Sequence, residues 1–383
     1  MVVQKMNVLI PALHRPSKPT GVCRHAANLA QCLADSDSVN SVILIIGCWQ
    51  KDYFESSFSL DSPKIKLFDI DIKNSSVSRN LWFMLGLPRL AQKIKPDIIH
   101  MSFPFPFVRR WFSAPVLATI HDLYPYESPE NFGYPQVWFN QLFLQQCIRQ
   151  SNGLVCVSKY TEDSLKYYLP QAQENNSISV IYNVVDFEDI KSEKPKALGD
   201  TFDAPFILSV AQHRKNKNLD LLIQAYDKLI QDGQLSFKTQ LLLVGSSGPE
   251  TESLHELVQK LNLVEQVQFL SGLEDQELRW LYESAELFVI PSSTEGFCLP
   301  LVEALALACP TVCSDIPIFR EVGDLQCRYF QLEQDALHNL AGAIAAELSC
   351  PTFSEREADS RFSKTEITRQ LLSFYTSFRE HQN

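Results

Sequence analysis

Short apolar runs alternate with amphipathic ones along this chain in two series, separated by a polar stretch. The first series of apolar runs is Asn7–Ile10, Ser41–Ile46, Lys64–Ile70, Asp97–Met101, Pro115–Ile120, Gly153–Val157 and Ile178–Tyr182. Helical spacing appears near Val22–Ala34, Trp82–Lys93, Gln136–Arg149 and Thr161–Leu169. The second series is Phe206–Val210, Gln240–Val244, Val267–Leu270, Leu287–Ile290 and Thr311–Cys313. Its helical segments lie near Leu219–Leu229, Ser253–Leu261, Asp275–Ser284, Leu299–Ala308 and Gln334–Leu348. A strand that returns through a helix re-enters its sheet in the same direction, so this alternation predicts parallel sheets covered by helices on both faces. The chain reads as two doubly wound α/β domains in tandem, with a linker in the polar stretch between Asn183 and Pro205. Ligands of such sheets lie beyond the C-terminal ends of the strands. The loops that follow strands are therefore where chemistry is expected.

Composition narrows the function. A length of 383 residues suits two domains of ordinary size. A hydrophobic fraction of 45% with 21% charged residues is that of a globular chain. The net charge of −11 argues against nonspecific nucleic-acid binding as the main activity. No apolar run is long enough to span a bilayer, and the apolar start ends at Pro11, too short for a secretion signal. The ten cysteines are scattered through apolar runs without a Cys-x-x-Cys pair, as expected of buried, reduced thiols in a cytoplasmic protein. The eight histidines have no zinc spacing, and no Gly-x-Ser-x-Gly hydrolase elbow occurs. Asp69-Ile70-Asp71 spells a possible divalent-metal pair, but it falls in a peripheral strand and is not taken as a metal site.

The stretch Pro291 to Ala304 follows the apolar run Leu287–Ile290 and leads into a helical run. A helix start offers free N–H groups and a positive dipole end, which suit an anion. Glu295 and Glu303 bracket this start. Two acids beside an anion site fit a ligand that carries both a diphosphate and hydroxyls, which is a description of a nucleotide sugar. Arg214, Lys215 and Lys217 follow the first strand of the second series, where they can neutralise a leaving diphosphate. In the first half, Gly21 stands just before a helix, where it permits close backbone approach or simply a turn. His121 and Asp122 end an apolar strand, positioned either to face a ligand or to satisfy local backbone. Two aromatic-basic stretches, Phe103–Phe112 and Arg79–Met84, are read as core aromatics, as an acceptor pocket lining, or as a membrane-facing surface.

Glu295-Gly296-Phe297-Cys298-Leu299-Pro300-Leu301-Val302-Glu303-Ala304 resembles the Glu-x7-Glu signature of the retaining family-4 glycosyltransferases. Thr20-Gly21-Val22 resembles the family's N-terminal glycine loop, and Thr119-Ile120-His121-Asp122-Leu123 its histidine loop. Val157 to Thr161, Ile181 to Asp186, Leu243-Val244-Gly245, Phe269 to Gly272 and Ser314 to Val322 also fit the family pattern. Phe362-Ser363-Lys364 and Leu371 to Tyr375 look like the family's last helix.

The resemblance implies a GT-B fold: two Rossmann-like βα domains facing a central cleft, with a C-terminal helix crossing back to the first domain. The expected division is an acceptor-binding domain over 1–190, a donor-binding domain over 191–360, and the returning helix over 361–383. It also implies retaining transfer of a hexose from a UDP-sugar or GDP-mannose to an acceptor hydroxyl, in synthesis of a glycan, glycolipid or small-molecule glycoside. The nucleotide sugar is a co-substrate; no cofactor and no metal are expected. The acceptor is a sugar, a lipid-linked or a small molecule. Carried over by position, Glu303 binds the ribose, while Glu295 and the amides of Gly296, Phe297 and Cys298, with Leu299 at the helix start, hold the sugar. Arg214 and Lys217 neutralise the diphosphate with the Gly21 loop, and His121 contacts the sugar or positions the reacting centre. His121, Glu295, Arg214 and Lys217 are thus the expected catalytic residues. Front-side attack needs no enzymic nucleophile, since the leaving phosphate oxygen takes the acceptor proton; positioning and charge stabilisation would carry the rate. A cytoplasmic location is expected, with peripheral contact at the inner membrane face through Phe103–Phe112.

Three departures from the family pattern stand out. Cys298 replaces a glycine, Ala211-Gln212-His213 replaces a Gly-Arg-Leu start, and the N-terminal loop has one glycine where many members have two. They keep alternatives open: a nucleotide-sugar-binding or scaffolding protein without transfer activity, or a GT-B epimerase or phosphorylase.

Overall fold

A computed structural model describes residues 5–15, 20–58, 60–127, 129, 133–187, 190–352 and 359–380. The chain forms two units, one of residues 1–184 with 360–383 and one of residues 185–359. The junction at Val184–Val185 lies inside the polar stretch, a few residues before the expected boundary at 190.

The first unit is built on β1 (Met6–Pro11), β2 (Val39–Gly47), β3 (Ile65–Ile70), β4 (Ile98–Met101), β5 (Val116–Ile120), β6 (Gly153–Cys156) and β7 (Ser177–Val180). These make a seven-stranded sheet in the order β3-β2-β1-β4-β5-β6-β7, and every neighbouring pair is parallel. β4, β5 and β6 are buried along their whole length because both sheet faces are covered. On one face pack the helix Gly21–Asp35 and the returning helix Lys364–Glu380, which contributes Ile367, Leu371 and Tyr375 to the core. Thr368 Oγ1 donates to Cys32 O at 3.2 Å, and Lys364 pairs with Asp35 at 2.5 Å. Gly153 in β6 lies under that helix: a Cβ there would stand 2.5 Å from the Phe378 ring.

The second unit is built on β8 (Phe206–Val210), β9 (Gln240–Val244), β10 (Val267–Leu270), β11 (Leu287–Ile290), β12 (Thr311–Ser314) and β13 (Arg328–Phe330). Its sheet runs β10-β9-β8-β11-β12-β13, again all parallel. Both sheets therefore reverse their winding once, between β1 and β4 in the first and between β8 and β11 in the second. Loops diverge at such a switch point and leave a crevice at the C-terminal strand ends.

The aromatic stretch Phe103–Phe112 follows its reading as core aromatics at three of its four phenylalanines. Phe105, Phe107 and Phe112 are buried in the first unit's core, so only Phe103 of its four phenylalanines is exposed. Arg79 is also buried, donating to Asn74 Oδ1 and Ser76 Oγ. The run Trp82–Lys93 is not one α-helix: a wide turn over Trp82–Gly86 precedes the helix Leu87–Ile94.

Candidate functional site

In the second unit, the loops after β8 and β11 meet at the switch point. β11 is apolar and buried throughout, which fixes where its chain leaves the sheet. The loop after it is tied to the loop after β8 by three bonds. Asn218 Nδ2 donates to Pro291 O at 2.8 Å, Asn216 Nδ2 to Thr294 O at 3.2 Å, and Ser293 N to Asn216 O at 2.8 Å. Asn218 itself takes a left-handed backbone, a conformation that asparagine tolerates better than most residues. This stitching brings Lys217 and Glu295 into an ion pair, with side-chain exposures of 18% and 11%. Burial acts against the charge on Lys217, but the Glu295 carboxylate outweighs it and the lysine pKa stands above its ordinary value. Arg214 is exposed and near enough to act on the Lys217 charge.

Behind Glu295 the helix Leu299–Ala306 begins at Cys298, with Pro300 in its first turn. Proline suits this position because the first helical N–H groups have no intrahelical partner. Cys298 has φ 71° and ψ 77°, left-handed backbone that a glycine would adopt without strain. Its thiol is buried, which pushes its pKa well above the ordinary value. Phe297 is buried, while Gly296 and Leu299 are half-buried. Glu303, one turn into the helix, is 4% exposed. Tyr282 donates its hydroxyl to Glu303 Oε2 at 2.9 Å; burial and this carboxylate push the phenol pKa well up, so it stays a donor.

The loop after β9 closes against the loop after β8. A Cβ on Gly245 would stand 1.9 Å from Ala211 O, and one on Gly248 2.2 Å from His213 O. His213 Nδ1 shares a 2.9 Å bond with Thr251 Oγ1, which also accepts from Gly248 N at 2.8 Å. Among the described residues, Ser209 Oγ, Ser292 Oγ, His213 Nε2 and Asn216 Oδ1 are buried at this edge without a partner in the protein. Buried polar atoms are nearly always paired, so each of these four calls for a water, an ion or a ligand atom.

In the first unit, His121 follows β5. Its Nε2 lies 2.8 Å from Ser102 O, so that nitrogen carries the proton and Nδ1 is left as an acceptor. The His121 ring meets His25 edge to face at 4.7 Å and stacks with Phe103 at 6.1 Å. Behind it lies a buried polar chain. His25 bonds Asn183 Oδ1 at 2.6 Å and Thr119 Oγ1 at 3.2 Å, and Thr119 Oγ1 bonds His100 Nε2 at 2.8 Å. His100 Nδ1 bonds the Tyr375 hydroxyl of the returning helix. Burial, and then the neighbouring His121, push His14 and His100 down to about 3. His25 falls well below its ordinary value and His121 is lowered, both chiefly by burial. Gly21 opens the helix Gly21–Asp35, with Thr20 O accepting from Arg24 N at 2.9 Å; residues 16–19 of its loop lie outside the described residues.

The structure thus brings Lys217, Glu295, Gly296, Phe297, Cys298, Leu299 and Glu303 to one sheet edge, with Arg214 beside them. His121 and Gly21 belong to the other unit. Sequence reasoning missed Tyr282, Asn216, Asn218, Gly248 and the histidine chain. Asn216 and Asn218 were visible between the cations, but charge drew the reading to Arg214 and Lys217. Among the described residues, no group of three or more His, Cys, Asp or Glu stands ready to hold a metal ion.

The description "Glycosyltransferase Family 4" matches residues 19–189 and "Glycosyl transferases group 1" matches residues 190–364. The chain is 33% identical over 320 residues to O-antigen chain mannosyltransferase B of Escherichia coli, covering 79% of this chain and 81% of that one. The chain belongs to the family-4 glycosyltransferases. A second relative is the O-antigen chain mannosyltransferase RfbU of Salmonella typhimurium, 32% identical over 205 residues, 53% of each chain. The match thus spans about half the length of that relative. A solved sucrose-phosphate synthase from Thermosynechococcus elongatus superimposes with TM-score 0.70 at 16% identity, covering 99% of this chain and 97% of that one. This likeness is one of fold and agrees with two Rossmann-like domains of the GT-B class. No helix among the described residues of this family-4 member is long and apolar enough to cross a membrane.

Proposed function

We propose that this family-4 member is a retaining glycosyltransferase that moves a hexose from a nucleotide-diphosphate sugar to an acceptor hydroxyl on a growing glycan. The observation that carries the reading is the switch-point edge of the second unit. There a half-buried lysine, a second cation and two carboxylates stand together, with four buried polar atoms left unpaired. Cations alone would suit any phosphate. Carboxylates placed among them suit the hydroxyls of a ribose and a sugar on the same molecule.

In this reading Lys217 and Arg214 meet the diphosphate and stabilise the charge that grows as the glycosidic bond breaks. Lys217 then exchanges part of its pairing with Glu295 for the phosphate, and Glu295 turns to the sugar hydroxyls. Glu303, held by Tyr282, accepts from the ribose hydroxyls. The helix-start amides near Gly296 to Leu299 complement the anion. His121, neutral and with Nδ1 free to accept, binds a hydroxyl and does not act as an acid. No nucleophilic side chain is required, because the leaving phosphate oxygen takes the acceptor proton. The relatives named as mannosyltransferases favour mannose, and hence GDP-mannose, over UDP-sugars.

The test is a transfer assay with GDP-mannose and UDP-hexoses against a panel of mannose- and N-acetylhexosamine-terminated glycan acceptors. Transfer of mannose with its anomeric configuration kept supports the reading. Binding of nucleotide sugar without transfer or hydrolysis across the panel would replace it with a non-catalytic binding role.

A further inference from the structure

The helix Gln136–Gln150 of the first unit buries Val137, Leu144, Cys147 and Ile148 against the sheet. Its outer face should be polar. Instead Trp138 is 65% exposed, Leu142 57% and Phe139 51%, and Tyr134 just ahead of the helix is 79% exposed. Tyr134, Trp138 and Leu142 recur every four residues, so they form one stripe, and the Tyr134 and Trp138 rings meet edge to face at 5.6 Å. Contiguous exposed apolar surface of this kind marks an interaction site.

The same helix face continues through Gln145 to Arg149, which is exposed and reaches Gln171 at 3.3 Å. The segment Phe107–Arg110 runs beside this C-terminal half. Phe107 N donates to Gln146 Oε1 at 3.1 Å and Arg109 N to Gln150 Oε1 at 2.9 Å. It sets exposed Arg110 at an open recess with Val108, Arg109 and Gln150. Neither Phe103–Phe112 nor Gln136–Gln150 contains an acidic residue, in a chain whose net charge is −11. Aromatic side chains at one end and arginines at the other fit a boundary that is apolar inside and anionic at its rim. A second copy of the chain would bring like arginines face to face, whereas anionic headgroups attract them.

We propose that this stripe and its arginines dock on an anionic lipid surface. Trp138, Phe139 and Leu142 enter the boundary of the acyl layer, and Arg110 and Arg149 meet headgroup phosphates. This replaces the aromatics of Phe103–Phe112, most of which are core, as the contact. The reading does not depend on sugar transfer, and its test uses neither donor nor acceptor.

The full chain is co-sedimented with phosphatidylcholine vesicles, with and without phosphatidylglycerol. Binding to the anionic vesicles alone, weakened by salt, is expected. The double variant Trp138→Ser/Leu142→Ser should lower partitioning at least about tenfold, through loss of buried apolar area. Arg110→Glu should lower it about fivefold or more. Both variants should melt like the wild type, since these side chains are exposed. Failure of the folded wild type to bind phosphatidylglycerol vesicles would overturn the proposal, as would equal binding by the double variant. Wild-type dimerisation in sedimentation that the double variant abolishes would also overturn it, in favour of a second copy.

Discussion

Cys298 holds a backbone conformation that costs a non-glycine residue about 1–2 kcal/mol. Replacing it with glycine removes that cost. It also loses a buried thiol and adds about 0.5–1 kcal/mol of backbone entropy to the unfolded chain. These terms nearly cancel, so Cys298→Gly should change unfolding stability by less than about 1 kcal/mol. Cys298→Val keeps the strain and adds branching at Cβ, so it should lose about 1–2 kcal/mol or more in urea melts. Tyr282 gives a second test at this scale. Its hydroxyl donates to a buried carboxylate, and such bonds contribute about 1.5–3 kcal/mol. Tyr282→Phe should destabilise the protein by that order and raise the KM for donor several-fold more than it lowers kcat, because Glu303 loses its orientation and not its charge. An unchanged KM would remove Tyr282 from the site. The signature containing Glu295 and Glu303 was legible because its residues are contiguous. Tyr282 was not legible, because its partner lies 21 positions away and no periodicity joins them.

At the scale of elements, the second sheet was legible nearly to the residue. β8, β9, β10 and β11 match the apolar runs, because strands covered on both faces are continuous in apolar residues. β13 was not legible, since Arg328-Tyr329-Phe330 is too short and mixed to stand out. The Trp82–Lys93 run misled because spacing alone does not separate an α-helix from a wider turn that keeps nearly the same face. Gly245 decides how the second unit's loops close. A Cβ there meets a backbone carbonyl, which has no rotamer by which to retreat. Gly245→Ala should therefore cost about 1–3 kcal/mol, as overpacking does, and displace the loop that carries Arg214 and Lys217. Unaltered melting together with unaltered donor affinity would contradict that packing.

At the scale of the molecule, four histidines from separate segments gather in the first unit, and none of their spacings announced it. His14 and His100 have native pKa values near 3 against 6.5 when unfolded. Below pH 6.5 the unfolded chain binds protons that the native state refuses, so stability falls as pH falls, and the loss levels off only near pH 3. By about pH 5 each of these two histidines removes about 2 kcal/mol. Urea melts between pH 7 and pH 5 should show this decline, and His100→Gln should flatten it. The slope is the diagnostic, because loss of the His100 contacts to Thr119 and Tyr375 alone would lower stability equally at every pH.

At the proposed donor site, Lys217, Glu295 and Glu303 bind a nucleotide sugar and drive its transfer. The direct measurement is steady-state mannosyl transfer from GDP-mannose by wild type and by Lys217→Ala, with the product's anomeric configuration read by NMR. Retained configuration is expected, with a loss of at least about tenfold in kcat/KM for the folded variant, the effect of one charged contact to the leaving group. Inverted product, or wild-type turnover by Lys217→Ala, would contradict it.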